Sequence, residues 1–254
     1  MKNLQKRNFN LQLLAIFFVS FAFIFARFKP AKTALNRPTT FSSISSKPIS
    51  EYKASLEFKI YDSLQLNTLG LSKQAFEEGI KGYNYLRSIG KLTNESVISI
   101  VDFTLPSSAK RLFVIDLDNF KLLFNTYVAH GRNSGKEYAN RFSNSPESNM
   151  SSLGFYVTQN TYNGEHGLSL RLQGEEKGIN DNAESRAIVI HCANYVSEKT
   201  IKALGYIGRS LGCPALPTKI AKPIIETIKD GSCFFVFSDS QKYLSNSPLL
   251  QLAS

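Results

Sequence analysis

The sequence predicts a mainly β fold (α+β) with helices at its periphery. Three observations carry this expectation. Apolar and β-branched runs recur from residue 96 onward, at Val97–Phe103, Arg111–Leu117, Leu122–Ala129, Phe155–Tyr162, Leu168–Leu172, Ile188–Ile190 and Cys233–Phe237. Two pairs of runs flank turn-forming dipeptides, Asp118-Asn119 and Asn163-Gly164, which is the layout of a β-hairpin. No β–α–β rhythm, G-x-G-x-x-G motif or internal repeat is present.

The elements follow in order. Residues 1–26 open with Lys2, Lys6 and Arg7, then run apolar from Leu11 to Ala26 apart from Gln12 and Ser20. This is the layout of a secretory signal. As a helix, the apolar run reaches only ~24 Å, short of a ~30 Å hydrocarbon core. Arg27 and Lys29 follow at once without a clean A-x-A site, so the segment reads as a cleaved signal or an uncleaved membrane anchor. Residues 27–50, rich in Pro, Ser, Thr and Lys, read as a flexible linker. Residues 51–95 read as a helical segment. Leu56, Ile60 and Leu64 lie four apart, and a second helix starts near Ser72 with Phe76, Ile80 and Tyr83 on one face. Residues 96–240 form the expected β domain. Within it, Ser197 caps a short helix to Leu204, and Thr218 caps a longer one through Ile228, ahead of Gly231. Residues 241–254 are left as a C-terminal tail.

Charge excludes one class of function. The chain carries a net charge of +10, from 30 Lys/Arg and 20 Asp/Glu. Eight of the basic residues and none of the acidic ones fall in residues 1–50, so the body is nearly balanced. A nucleic-acid partner is therefore not expected.

Three cysteines, Cys192, Cys213 and Cys233, are an odd number in an exported chain, so at least one thiol is left unpaired. No zinc-type Cys/His spacing occurs, and no metal or other cofactor is expected. The most informative stretch is Arg209-Ser210-Leu211-Gly212-Cys213-Pro214-Ala215. Gly212 lets the backbone approach a substrate, backbone N–H groups there can face an oxyanion, and Pro214 stiffens the loop. Arg209 is suited to hold a substrate carboxylate. Two readings compete, a nucleophilic thiol and a buried cysteine in a turn. A thiol nucleophile needs a base, because only the thiolate attacks efficiently. His191 ends the Arg186–Ala193 stretch, 22 residues upstream of Cys213. Alternation along a strand sends His191 and Cys192 to opposite faces, so Cys192 faces the core if His191 faces the cleft. Cys233 lies in an apolar run and reads as packing.

Other positions remain open. His130 reads either as a cleft residue or as part of a surface turn. His166, near a hairpin tip, is a candidate substrate contact. The polar stretch Asn140–Ser152 reads as a solvated loop or a lid, and Asn180-Asp181-Asn182 as a plain turn.

The stretches HGRNSG (130–135), FSNSPESNMSSLGFY (142–156), TYNGEHGLSLRLQG (161–174), NDNAESRAIVIHCANYVS (180–197) and GRSLGCPALP (208–217) resemble the murein L,D-transpeptidase catalytic domain family. They stand in the family's order and span about half of the chain. The resemblance implies an antiparallel β sandwich with peripheral helices and a Ser/Thr-x-Gly-Cys site, matched by Ser210–Cys213, with an upstream strand histidine, matched by His191. It implies acyl transfer on peptidoglycan stem peptides through a Cys213 thioester, in the periplasm or cell envelope. Hydrolysis by the same site (an L,D-carboxypeptidase) and a non-catalytic wall-binding module are the alternatives. The broader group carries His before the Gly and Arg two residues after the Cys, where this chain has Leu211 and Ala215. Carboxylate binding is thus left open among Arg209, Arg171 and Arg132. Ser210, Gly212 and His166 complete the expected substrate-binding set.

Overall fold

Helix α1 (Lys73–Ser88) starts where the sequence places it, with the Ser72 hydroxyl accepting the Ala75 N–H. The computed structural model describes residues 59–253; the expected signal or anchor, the linker and the start of the 51–95 segment lie outside the described residues. Residues 59–63 are helical and bury Ile60 and Tyr61. Phe76, Ile80 and Tyr83 lie on the buried face of α1. Gly82 lies there too, because a Cβ at this position would stand 2.1 Å from the Phe155 ring. Phe155 stacks on Phe235 at 4.0 Å between ring centroids, so it has little room to yield. Gly82→Ala is therefore expected to destabilise the fold by about 1–3 kcal/mol despite the better helix propensity of alanine. A urea midpoint equal to that of the wild-type chain would show that this close approach is absent.

Eight strands form one sheet. They are β1 (Val97–Asp102), β2 (Leu112–Asp116), β3 (Lys121–Thr126), β4 (Gly154–Gly164), β5 (Gly167–Gly174), β6 (Val189–Ala193), β7 (Ala215–Pro217) and β8 (Cys233–Phe237). Their order across the sheet is β3-β2-β1-β8-β4-β5-β6-β7. β1 and β8 are buried at every position, as expected for strands covered on both faces. The expected mainly β fold with peripheral helices is the one observed. Two of its pairings are parallel, β1 with β8 and β6 with β7. β6 and β7 are joined through α2 (Glu198–Leu204), a β–α–β connection that the sequence pattern did not predict. β7 has three residues, too few to show a period.

Two hairpins form near the expected turns. Between β2 and β3, the Asp116 carboxylate accepts the Asn119 N–H at 2.8 Å. Between β4 and β5 the closing pair is Gly164 with Gly167, so the turn residues are Glu165 and His166 rather than Asn163 and Gly164. Gly167, at φ +76°, supplies the left-handed residue that the tight reversal needs.

Ser197 caps α2 by accepting the Thr200 N–H, as expected. Thr218 is not a cap. It is the first residue of α3 (Thr218–Ile228), which follows β7 directly, and its hydroxyl bonds Asn194 instead. The chain from 241 onward is no loose tail: it forms α4 (Gln241–Asn246) and α5 (Pro248–Leu252) and buries Tyr243, Leu249 and Leu250. The buried Glu176 carboxylate explains the docking, since it accepts from the Phe155 N–H of β4 and from the hydroxyls of Tyr243 and Ser247. No described helix is long and apolar enough to cross a membrane.

Candidate active site

The parallel register of β6 and β7 aligns His191 with Ala215, and the His191 N–H reaches the Pro214 carbonyl at 3.4 Å. Cys213 immediately precedes that carbonyl residue. The two candidate catalytic residues, 22 positions apart in sequence, therefore sit on adjacent backbone segments.

The turn before β7 is built by its own side chains. Ser210 is buried; its hydroxyl accepts the Gly212 N–H at 3.1 Å and donates to the Cys213 carbonyl at 2.6 Å. Gly212 has φ +129°, and a Cβ there would meet the Met150 carbonyl at 2.9 Å. Both constraints select glycine. The Gly212 N–H is thus spent inside the turn, while the Cys213 N–H has no acceptor among the described residues. Leu211, where the broader group carries His, is exposed.

The Cys213 thiol is partly exposed and lies 3.7 Å from the Ala187 carbonyl. Its hydrogen bond goes to that carbonyl and not to the His191 ring. Burial pushes the thiol upward, while the Val189 N–H and the Arg186 guanidinium pull it down. The His191 Nδ1–H donates to the Cys192 carbonyl at 2.9 Å, which leaves Nε2 as the unprotonated nitrogen. Burial lowers the imidazole, the Cys192 carbonyl raises it and His166 lowers it. Both groups are therefore held neutral at rest, as a thiol and an imidazole.

The remaining expected site residues divide into two groups. His166 stacks on His191, with ring centroids 4.4 Å apart, so the hairpin tip reaches the site. Arg209 is not a free arm: its guanidinium bonds the carbonyls of Arg132 at 3.2 Å and Gly135 at 3.0 Å. Arg132 is exposed, and its backbone N–H bonds the Ser210 carbonyl at 2.8 Å. These contacts make Arg209 and Ser210 supports of the loop that presents Cys213. Cys192 is partly buried and bonds the His166 carbonyl at 3.2 Å, and Cys233 is fully buried. All three cysteines are free thiols.

Sequence reasoning missed the role of Arg186. It donates to the carbonyls of Ser143 (2.9 Å) and Met150 (2.7 Å) and to the hydroxyls of Ser152 (2.6 Å) and Ser148 (3.2 Å). One planar fork thus holds the 143–152 segment against Gly212 and Cys213, with Ser151 bridging the Gly131 N–H and the Gly212 carbonyl. The only signal available in the sequence was an arginine five residues before a strand histidine. His130 is neither a cleft residue nor part of a surface turn. It is fully buried, its Nδ1 is 2.7 Å from the buried Arg111 guanidinium, and burial first and that cation second hold it down at about 3. The Asn180–Asn182 turn is structural, since the Asn180 amide bonds the carbonyls of Leu153 and Phe155. No group of three or more metal-ligating side chains occurs among the described residues.

Two cavities flank this region. One of about 230 Å³ is lined by Tyr162, Arg171, Glu184, Ala187, Ile188 and Val189 among others, and so includes the residues that contact the Cys213 thiol. The other, about 640 Å³, lies between residues 140–145 and α4, and neither cavity has Cys213 or His191 in its lining.

No curated protein sequence matches the chain. Among solved structures it is similar to an L,D-transpeptidase from Mycobacterium smegmatis, at 13% identity over 56% of this chain and 59% of that one, with a TM-score of 0.35. It is also similar to L,D-transpeptidase 3 from Mycobacterium tuberculosis, at 12% identity over 56% and 61%, with a TM-score of 0.36. A third similarity is to the helical cell shape determining protein Pgp2 from Campylobacter jejuni, at 13% identity over 69% and 62%, with a TM-score of 0.39. The chain spans about three fifths of the length of these proteins. Residues 67–237 match the L,D-transpeptidase catalytic domain family, from just before α1 to the end of β8. With about two thirds of its length matched, the chain belongs to the L,D-transpeptidase catalytic domain family.

Proposed function

We propose that the protein is a cysteine-dependent L,D-transpeptidase that acts on peptidoglycan stem peptides in the cell envelope. In this reading Cys213 is the nucleophile and His191 the general base. His191 Nε2 takes the thiol proton as sulfur attacks the carbonyl between the third, L-configured centre of the donor stem and its terminal D-Ala. The Cys213 N–H faces the oxyanion. The C–N bond breaks, the departing D-Ala amine receives the proton from His191, and the acyl group stays on sulfur as a thioester. A neighbouring stem amine then attacks the thioester and regenerates the thiol. No metal or nucleotide enters this scheme. Residues 1–26 would direct export, as a cleaved signal or as an anchor.

The observation that supports this most is the state of His191. Its Nδ1–H is tied to the Cys192 carbonyl at 2.9 Å, which fixes the tautomer that leaves Nε2 basic. A backbone carbonyl does the work that a carboxylate does in other triads. The test is to incubate the full chain with tetrapeptide muropeptides and to analyse the products by mass spectrometry. A cross-linked dimer with loss of one D-Ala is expected. Tripeptide alone would assign water as the acceptor and make the enzyme a carboxypeptidase. Unchanged substrate, with the chain still bound to sacculi, would make it a wall-binding module.

A further inference from the structure

We infer that the 640 Å³ cavity between residues 140–145 and α4 is a binding site for an acidic sugar, separate from the Cys213 and His191 pair. The inference goes beyond the acyl-transfer reading and stands whether or not that reading does.

Three segments distant along the chain build this cavity. The first wall is the irregular stretch 140–145, the second is the turn at Lys177, Gly178 and Ile179, and the third is α4. Hydrogen bonds hold the walls in place. The Asn144 amide donates to Asp181 at 2.7 Å, and the same Asp181 oxygen accepts the Gly178 N–H at 2.8 Å, which joins the first wall to the second. Tyr243 of α4 donates to the buried Glu176 at 3.0 Å, just before the second wall, and so fixes the third. The volume falls within the range of about 300–1,000 Å³ usual for small-ligand pockets.

The lining specifies the chemistry of the occupant. Lys177 and Lys242 are exposed, and among the described residues neither joins an ion pair. Among those residues no carboxylate lines the cavity, and the nearby Asp181 is already occupied by Asn144 and Gly178. An anion is the complementary ligand. The Asn140 amide and the Ser145 hydroxyl both donate and accept, so an apolar chain would leave them dry and unpaired. None of the lining residues belongs to a strand, so a peptide backbone finds no ladder edge to pair with. Phe142 and Tyr243 add ring surface. A compact ring bearing hydroxyls, an amide and one acidic group satisfies all of these conditions.

The first wall also supports the nucleophile loop. Phe142 stacks on Phe103 with centroids 6.1 Å apart, Arg111 lies 4.7 Å over Phe103, and Arg111 bonds the His130 ring. The His130 carbonyl accepts the Ser210 N–H at 3.0 Å. The neighbouring Ser143 gives its carbonyl to Arg186, which also holds Met150 beside Gly212. A sugar seated against Phe142 and Ser143 therefore steadies residues 143–152.

The test uses the full chain, titration calorimetry and amide hydrogen exchange. The probes are N-acetylglucosamine, its 1-phosphate, N-acetylmuramic acid and a Glu-Glu dipeptide. At least one of the two acidic sugars is expected to bind about tenfold or more tightly than N-acetylglucosamine, since two cations face its charge. The tighter of the two assigns the acidic group as phosphate or carboxylate. Bound sugar should slow exchange in residues 140–152. The Lys177→Gln, Lys242→Gln double variant should erase the advantage of the acidic sugar and keep the urea midpoint of the wild-type chain, because both lysines are exposed. Cys213→Ala should bind the sugar as the wild-type chain does, whatever its turnover, which separates this site from the acyl-transfer reading. Equal binding of neutral and acidic sugars overturns the assignment. So does an advantage that survives in the double variant, or a dipeptide that binds more tightly than every sugar.

Discussion

Cys213→Ala is expected to abolish thioester formation and product, and His191→Ala to lower turnover on the order of 10³-fold or more, with the double variant no worse than the worse single one. Nucleophile and base act as a unit, so removing either removes the same step. Cys192→Ala and Cys233→Ala should leave the chemistry intact, because Cys192 bonds the His166 carbonyl and Cys233 is buried in β8. His191 also depends on a backbone group: the Cys192 carbonyl accepts its Nδ1–H whatever side chain residue 192 carries. Steady-state turnover of tetrapeptide donors, together with mass mapping of a covalent thiol label, checks the whole set. A fully active Cys213→Ala chain, or a label found only on Cys192, would falsify the mechanism.

Arg186→Gln is expected to have the second largest effect, through two separable routes. The first is electrostatic. Burial already holds the Cys213 thiol above its usual range, and Arg186 is one of two groups pulling it down. Loss of the cation should move the thiol further up, so iodoacetamide labelling of Cys213 should slow at neutral pH and its pH midpoint should rise. The second route is packing. The carbonyls of Ser143 and Met150 and the hydroxyls of Ser148 and Ser152 all lose a donor. An unmade bond of this kind costs about 1–3 kcal/mol where the group stays dry. Arg186→Lys separates the two routes, since it keeps the charge but not the fork. The Lys variant should hold the labelling midpoint nearer to that of the wild-type chain while still loosening residues 143–152, read by hydrogen exchange. A midpoint unchanged in Arg186→Gln would remove Arg186 from the electrostatics of the thiol.

The resting state bears on the pH dependence of both experiments. A raised thiol and a lowered imidazole mean that no thiolate–imidazolium pair is stored in the free chain. In the proposed mechanism the proton therefore moves when substrate arrives, with His191 as the base during attack and not as the group that ionises the thiol beforehand.

Local pattern sufficed for much of this protein. Ser72 and Ser197 are caps in the structure because a cap needs only a hydroxyl and the N–H three residues on. The strands at Val97–Asp102 and Cys233–Phe237 were legible because strands buried on both faces must be apolar throughout. The Ser210–Cys213 turn was legible because its hydrogen bonds run between residues two and three apart. What the sequence could not determine depends on segments distant along the chain. The pairing of His191 with Ala215 comes from a parallel β7 of three residues, and the 143–152 clamp joins Arg186 to partners 34 to 43 positions away. Arg209 looked like a substrate arm because a sequence does not show that two carbonyls, 74 and 77 residues upstream, already occupy it. The β5–β6 register, which pairs Arg171 with Val189, likewise joins residues 18 positions apart. Residue type and short spacing thus determined which groups are chemically able to act; long-range register and the filling of each donor decided which of them are free to do so.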